Sequence, residues 1–365
     1  MNTRAVIAIF KRNLFAYFGS PTGYVFICAF VLSSGFAAFW PREFFNANLA
    51  NLDQLNKYIH FILLGFVPAI TMGIWADERR QGTDELLLTL PASDLQVVLG
   101  KYIAAVAIFT VSLFFSLTNL FVLNWLGNPD MGLMFSTYLG DWVMGLSMLA
   151  VGMVASFLTG NLTVAFVLGV AFNAPLVMAG HTDMLLISAS MTDTMRVWSL
   201  HAHFYDFARG IISLSGIVYF SAIVGVMLYL CSVLIGRRHW GGTVGTVPLW
   251  IHYAARTVSL VIAAVSLAAI VNANDSRADF SSEKLSVLSP KSIELLKSIP
   301  EDRVIKVEAF ISPERDIPED YIQTRINLLN MLDEIERRAD GRIKISRHTD
   351  VESFMPIATM AEERY

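Results

Sequence analysis

The sequence predicts a polytopic α-helical membrane protein with a small C-terminal α/β domain, and three observations carry that reading. The 365 residues are 55% hydrophobic and only 16% charged. Their mean hydropathy of +0.53 is too apolar for a soluble globule of this length. Apolar runs long enough to cross a bilayer recur up to residue 272. Charge is then concentrated at the end: residues 1–272 hold 13 Lys/Arg and 12 Asp/Glu, whereas 273–365 hold 14 and 19. Two parts of one chain are therefore built for two solvents.

The first element is TRAVIAIFKRNLFAYFGSP, which puts Arg4, Lys11 and Arg12 on one side of a helix and Val6, Ile9, Phe10, Leu14 and Tyr17 on another. That pattern predicts an interfacial helix over residues 1–21, lying in the headgroup layer; the plainer alternative is that it begins the first span. Pro21 marks the break. Seven candidate spans follow, at roughly 22–40, 57–75, 95–125, 138–158, 162–180, 211–235 and 254–272. Six form one membrane domain over 22–240, and a linker with the seventh span occupies 241–272.

Lys and Arg set the orientation. With the N-terminus in the cytoplasm, nine of them (Arg4, Lys11, Arg12, Arg79, Arg80, Lys101, Arg237, Arg238 and Arg256) fall in inner segments, against Arg42, Lys57, Arg196 and Arg209 outside. A multi-pass location in a cell membrane is expected. The stretch 181–210 is too polar to span yet holds Met184, Leu185, Trp198 and Phe204, which suits short amphipathic or re-entrant elements at the outer face. Its HAHFYDF segment offers His201, His203 and Asp206; with no third strong ligand fixed by spacing, a wet loop is preferred to a metal site. Asp130 reads as an outer-loop charge without a role.

Beyond residue 272 the periodicity changes. RVIKVEAFIS alternates Ile305, Val307, Ala309 and Ile311 against Lys306 and Glu308, a strand. Ile322, Ile326, Leu329, Leu332 and Ile335 share one helical face between Pro318 and Gly341, and RIKISR is a second strand. Ser289 and Pro290 start a shorter helix. This domain, 273–365, is expected outside the cytoplasm. It is also expected to be incomplete as given, with 349–365 poorly ordered, because a two-stranded sheet is marginal alone.

The stretch WADERRQGTDELLLTLPASDLQVVLGKY interrupts this apolar chain with charge. Gly82 breaks the end of the second span. Thr83 can cap a short helix carrying Asp84 and Glu85 in its first turn, followed by Leu86, Leu87, Leu88 and Leu90 and stopped at Pro91. Ser93 and Gln96 form a capping box for the third span. Leucines and acids on a short cross-helix with rigid joints suit docking by a partner, although a generic polar hairpin has the same composition.

The order E-R-x-x-G-T-x-E-L-L at Glu78–Leu87, then P-A-S at 91–93 and G-K at 100–101, resembles the coupling-helix signature of ABC-2 type permeases. YFGSPTGYVFI at 17–27 resembles the start of their first span in the gliding-motility, GldF-like branch. SRADFSSEKLSVLSPKSIELLKSIPEDRVIKVEAFIS is similar to the start of a GldG-like auxiliary domain. These resemblances imply an exporter permease paired with a second permease copy and with separate ABC ATPase subunits that bind ATP and Mg²⁺. They also imply that Glu78, Arg79, Gly82, Thr83, Glu85, Leu86, Leu87, Leu88 and Pro91 couple hydrolysis to the spans. A rival reading is a gliding-type mechanical coupler that passes ATP-driven motion to the outer domain without transport.

Several classes are excluded or left without support. The Gly100-Lys101 pair has Leu95 where a phosphate-cradling loop needs its first glycine and Tyr102 where it needs Ser/Thr, so this chain is expected to bind no cofactor of its own. No catalytic cluster and no metal-ligand spacing is found, Cys28 and Cys231 lie in apolar runs, and no basic stripe points to nucleic acid. Within the spans, Pro68, Asn173 and Pro175 are candidates for a hinge or pathway, with kinked packing as the plainer reading. Gly152, Ser156 and Gly160 form a small-residue stripe for close packing.

Overall fold

The computed structural model describes residues 3–47, 50–83, 92–179, 199–236, 243–244, 247–273, 277–281, 288, 290–300, 304–312, 322–339 and 341–348. Expectations for Glu85, Leu86, Leu87, Leu88 and Pro91, for Met184, Leu185 and Trp198, for Arg237 and Arg238, for Ser289 and Pro318, and for the tail 349–365 lie outside them. The chain divides into two units, Met1–Phe44 with Leu49–Ala278, and Phe45–Asn48 with Asp279–Tyr365.

The first unit is helical. Its N-terminal helix, Thr3–Phe18, is separate from the helix that follows, with Ile9 buried and Arg4, Lys11 and Arg12 exposed. Ser20 caps the next helix, Pro21–Phe39, by accepting from Thr22 N at 3.2 Å, with proline in the first turn. Asp53–Thr71 and Gly73–Gln81 meet at Met72 and act as one long rod. Asp94–Ser116 opens on the predicted capping box, Ser93 N donating to Gln96 Oε1 at 3.1 Å, and continues past Leu117 as Thr118–Leu126. Met131–Phe157 is the hub, with 83% of its most apolar stretch buried.

Among the described residues, six helices are long and apolar enough to cross a membrane: Pro21–Phe39, Asp53–Gln81, Asp94–Leu126, Met131–Phe157, Leu214–Gly236 and Trp250–Asn272. The predicted fifth span, Leu162–Met178, is an apolar helix of 17 residues, or about 26 Å at 1.5 Å per residue, slightly under a hydrocarbon core of about 30 Å. The helix Trp250–Asn272 has none of its apolar window buried, which is tolerable for a rod surrounded by lipid.

Two expectations are corrected here. Residues Leu200–Ala208 are not a wet loop but a helix, capped by Ser199 and burying Leu200, Phe204 and Phe207. These three recur at helical spacing, and the intervening His and Asp had disguised the apolar face. Asp130 is not an idle loop charge: its Oδ1 accepts from Gly132 N at 2.9 Å and Leu133 N at 3.1 Å, capping the hub helix.

In the second unit, Ile305–Phe310 pairs in parallel with Ile343–His348, Ile305 opposite Ile343 and Phe310 opposite His348. The helix Ile322–Arg338 supplies the crossover that a parallel pair requires. Gly341, at φ 80°, makes the turn into the last strand. Ala339, Ile343 and Ile345 form the core, with Val307, Ala309, Leu332 and Ile335 packed on it. Ile305, predicted on the inner row, is exposed, although Ile343 opposite it is buried.

Candidate functional site

The site is built where the helix of the second span, Asp53–Gln81, called the second helix below, ends. Gly82 has φ 69°, a left-handed conformation that favours glycine, and it lets the chain reverse: Thr83 N donates to Glu78 O at 3.0 Å and Gly82 N to Arg79 O at 3.3 Å. Thr83 Oγ1 also donates back to Glu78 O at 3.3 Å. Gly82 and Thr83 thus close the preceding helix firmly.

The Glu78 carboxylate turns inward. Glu78 pairs with Arg12 of the N-terminal helix and, at 2.7 Å, with Lys101 Nζ of the helix Asp94–Ser116. Lys101 has a fully buried side chain. Its ammonium also donates to Ile74 O at 2.6 Å and lies 4.4 Å from the centre of the Trp75 ring. A charge taken out of water is tolerable only with such counter-charge, hydrogen bonding and ring-face attraction together. Asp77, by contrast, stays near the surface and engages Arg80 and Gln81 of its own helix, at 2.8 and 3.0 Å.

A second set of contacts ties this helix end to the hub. Ser156 Oγ donates to Met72 O at 2.8 Å and accepts from Trp75 N at 3.1 Å and Ala76 N at 3.3 Å, satisfying backbone groups loosened at the Met72 joint. Arg79 Nη1 donates to Phe157 O at 2.6 Å, with its guanidinium 4.7 Å from the Phe157 ring centre. The small-residue stripe explains the close approach. A Cβ on Gly152 would sit 2.4 Å from Thr71 Oγ1, and one on Gly160 would sit 3.5 Å from Arg79 Cγ. The N-terminal helix docks by the same device, since a Cβ on Gly100 would meet Ile9 at 2.8 Å.

Of the predicted coupling residues, Glu78, Arg79, Gly82 and Thr83 are gathered in this joint. Lys101, Arg12, Trp75 and Ser156 were missed as members. The available signal was Lys101 itself, an ionisable residue seven positions into an apolar helix, where a partner must be sought.

The hinge candidates separate. Asn173 is fully buried and donates to Gly169 O at 2.9 Å and Met148 O at 3.4 Å, while Gly169 approaches Pro68 so closely that a Cβ would meet the Pro68 side chain at 2.9 Å. Pro68 and Asn173 therefore share one interface of the second, fourth and fifth helices. Pro175 is exposed. His201, His203 and Asp206 diverge: His201 faces the His60 ring at 4.9 Å, His203 stacks on Tyr219 at 4.0 Å, and Asp206 pairs with Arg277 at 3.0 Å. Among the described residues, no group of three or more His, Cys, Asp or Glu could hold a metal ion.

A helical bundle with six apolar rods of spanning length, an amphipathic helix packed beside them and a charge-locked helix end defines a multi-pass membrane protein. The family model described as ABC-2 family transporter protein matches residues 27–209, and the chain belongs to that family as a membrane permease component. Residues 282–365 match a second family, described as a domain of unknown function (DUF7088). No curated protein matches the chain.

Proposed function

We propose that the chain is the permease subunit of an ABC-2 exporter in a bacterial inner membrane, driven by ATP and Mg²⁺ on a separate nucleotide-binding subunit and paired with a second permease copy. Family membership supports the permease role. The observation that carries the coupling reading is the Glu78–Lys101 pair. Through it and Arg12, three helices end in one block, so force applied at 84–91 reaches the second helix, the third helix and the N-terminal helix together.

In this account Glu85, Leu86, Leu87, Leu88 and Pro91 form the gripped segment, and Gly82 with Thr83 is the joint behind it. Glu78 and Arg79 transmit, Glu78 to the helix of Lys101 and Arg79 to the hub. The excess of Lys and Arg on one side of the spans supports an N-terminus in the cytoplasm and a C-terminal domain outside. The GldF-like and GldG-like assignments rest on the motifs at 17–27 and 276–312. The test is purification of the full chain in mild detergent with its co-expressed neighbours. A co-purifying nucleotide-binding subunit is expected, and its absence across several detergents would contradict the reading. A cysteine in place of Ser312 should react with a membrane-impermeant thiol reagent in intact spheroplasts; reaction only after lysis would reverse the orientation.

A further inference from the structure

The half of the bundle away from Glu78 holds a different kind of polar layer, and the register of two helices defines it. Thr71 of the second helix meets Gly152 of the hub, and Ser156 bonds the turn that follows Thr71. Counting back eleven residues, about three turns, leads from Thr71 to His60 and from Gly152 to Asp141. Counting back one further turn leads to Asn56 and Thr137. The two helices run in the same direction, and continuing the register set by Thr71–Gly152 and Arg79–Phe157 puts these four residues at matching depth. An independent contact agrees: Phe204 lies with its ring centre 5.9 Å from that of His60, and a Cβ on Gly140 would be 3.2 Å from Phe204 Cδ2.

All four are enclosed, Asn56 at 8%, His60 and Asp141 at 1% and Thr137 at 0% exposure. Asn56 Nδ2 and Oδ1, Thr137 Oγ1 and Asp141 Oδ1 have no hydrogen-bond partner among the described residues. Each such atom gives up its bonds to water on folding, and native proteins rarely leave several together without something to satisfy them. Asp141 lies ten residues into a 27-residue span, with no Lys or Arg bonded to it among the described residues. The titratable groups nearest it in this register are Tyr138 on its own helix, which donates to Ser116 O at 2.9 Å, and His60 at matching depth on the second helix, whose ring centre lies 4.9 Å from that of His201.

We propose that this layer is a binding site for a small monovalent cation, with Asp141 as its charged ligand and Asn56 and Thr137 as neutral oxygen ligands. Carboxylate, amide and hydroxyl oxygens suit a hard cation, and one carboxylate balances a single charge. The cation balances the Asp141 carboxylate within the bundle. The inference stands on the packing of the spans and does not depend on the partner ATPase.

The test is carbodiimide labelling, because dicyclohexylcarbodiimide reacts with protonated carboxyls in apolar surroundings. The full chain in detergent is treated in N-methylglucamine, sodium, potassium or methylammonium chloride at equal ionic strength, and adducts are located by mass spectrometry. An adduct at Asp141 in N-methylglucamine is expected, formed several-fold more slowly in at least one other salt, which identifies the cation; Asp141→Asn removes it. Asn56→Leu and Thr137→Val should keep the adduct but raise the salt needed for protection about tenfold, the effect of losing one ligand. No adduct at Asp141 in the folded wild-type chain, or an adduct formed at one rate in all four salts, would overturn the proposal.

Discussion

The second helix and the hub run side by side, yet their two ends treat polar groups in opposite ways. Near Glu78 the charges close on one another: Lys101 on Glu78 and Ile74 O, Arg79 on Phe157 O, and Ser156 on three backbone groups. Near Asn56 the amide, the Thr137 hydroxyl and one oxygen of Asp141 are enclosed without hydrogen-bond partners among the described residues. Residue type alone would not separate the two ends, since each is a mixture of acid, base and hydroxyl. What separates them is the pairing of charge: Trp75 Nε1 is also buried without a hydrogen-bond partner among the described residues, but Glu78, Lys101 and Arg79 are all engaged. A polar cluster that satisfies itself behaves as a rigid joint, whereas one that does not is shaped for something brought in.

If the Glu78 end is a joint, breaking it should have the largest effect on stability. Glu78→Ala strands a buried ammonium, and the expected loss is about 3–5 kcal/mol, read as a lowered midpoint in thermal or denaturant melting of the detergent-solubilised chain. Pairing Glu78→Leu with Lys101→Met should restore most of it, because an apolar pair of similar volume needs no counter-charge. A double variant as unstable as the single one would mean that the charges are not compensating each other.

Packing between the two ends should show a smaller effect. Gly152→Val forces atoms into Thr71, whose Oγ1 is already 2.4 Å from an ideal Cβ, and about 1–3 kcal/mol of destabilisation is expected by the same melting measurement. Gly65→Ala is the matched comparison, with nothing within 4 Å of the added Cβ, and it should be neutral or stabilising. Smaller still is the cap on the hub: Asp130→Ala should cost about 1 kcal/mol, and Asp130→Asn, which keeps the accepting oxygen, much less.

Much of this fold was legible in the sequence because it is local. The capping box at Ser93 and Gln96, the Ser20-Pro21 start, the apolar runs and the βα alternation after residue 300 all follow from spacing within a few residues. The joint was only half legible. Gly82 and Thr83 announce a helix end by residue type, but the partner of Glu78 lies 23 positions away on another helix, and nothing in one sequence names that pair. The helix Leu200–Ala208 was misread for a related reason: His201, His203 and Asp206 look solvated until Tyr219, His60 and Arg277 arrive from elsewhere to cover them. The Asn56–Asp141 layer had the weakest signal, four residues on two helices that become one site only through the Thr71–Gly152 register.

The central claim is that gripping and transmission are separate tasks, one for the leucines of 84–91 and one for the Glu78 joint. It is tested most directly by co-purifying the chain with its nucleotide-binding subunit and measuring both the subunit ratio and the ATP hydrolysis of the complex. Leu87→Ala with Leu88→Ala should lose the subunit, since each buried anchor contributes more than about 1 kcal/mol to binding. Glu78→Gln should retain the subunit at the wild-type ratio but lose the effect of the membrane chain on its hydrolysis. A Glu78→Gln complex that hydrolyses ATP as the wild type does would show that the charge-locked joint carries no signal to the spans.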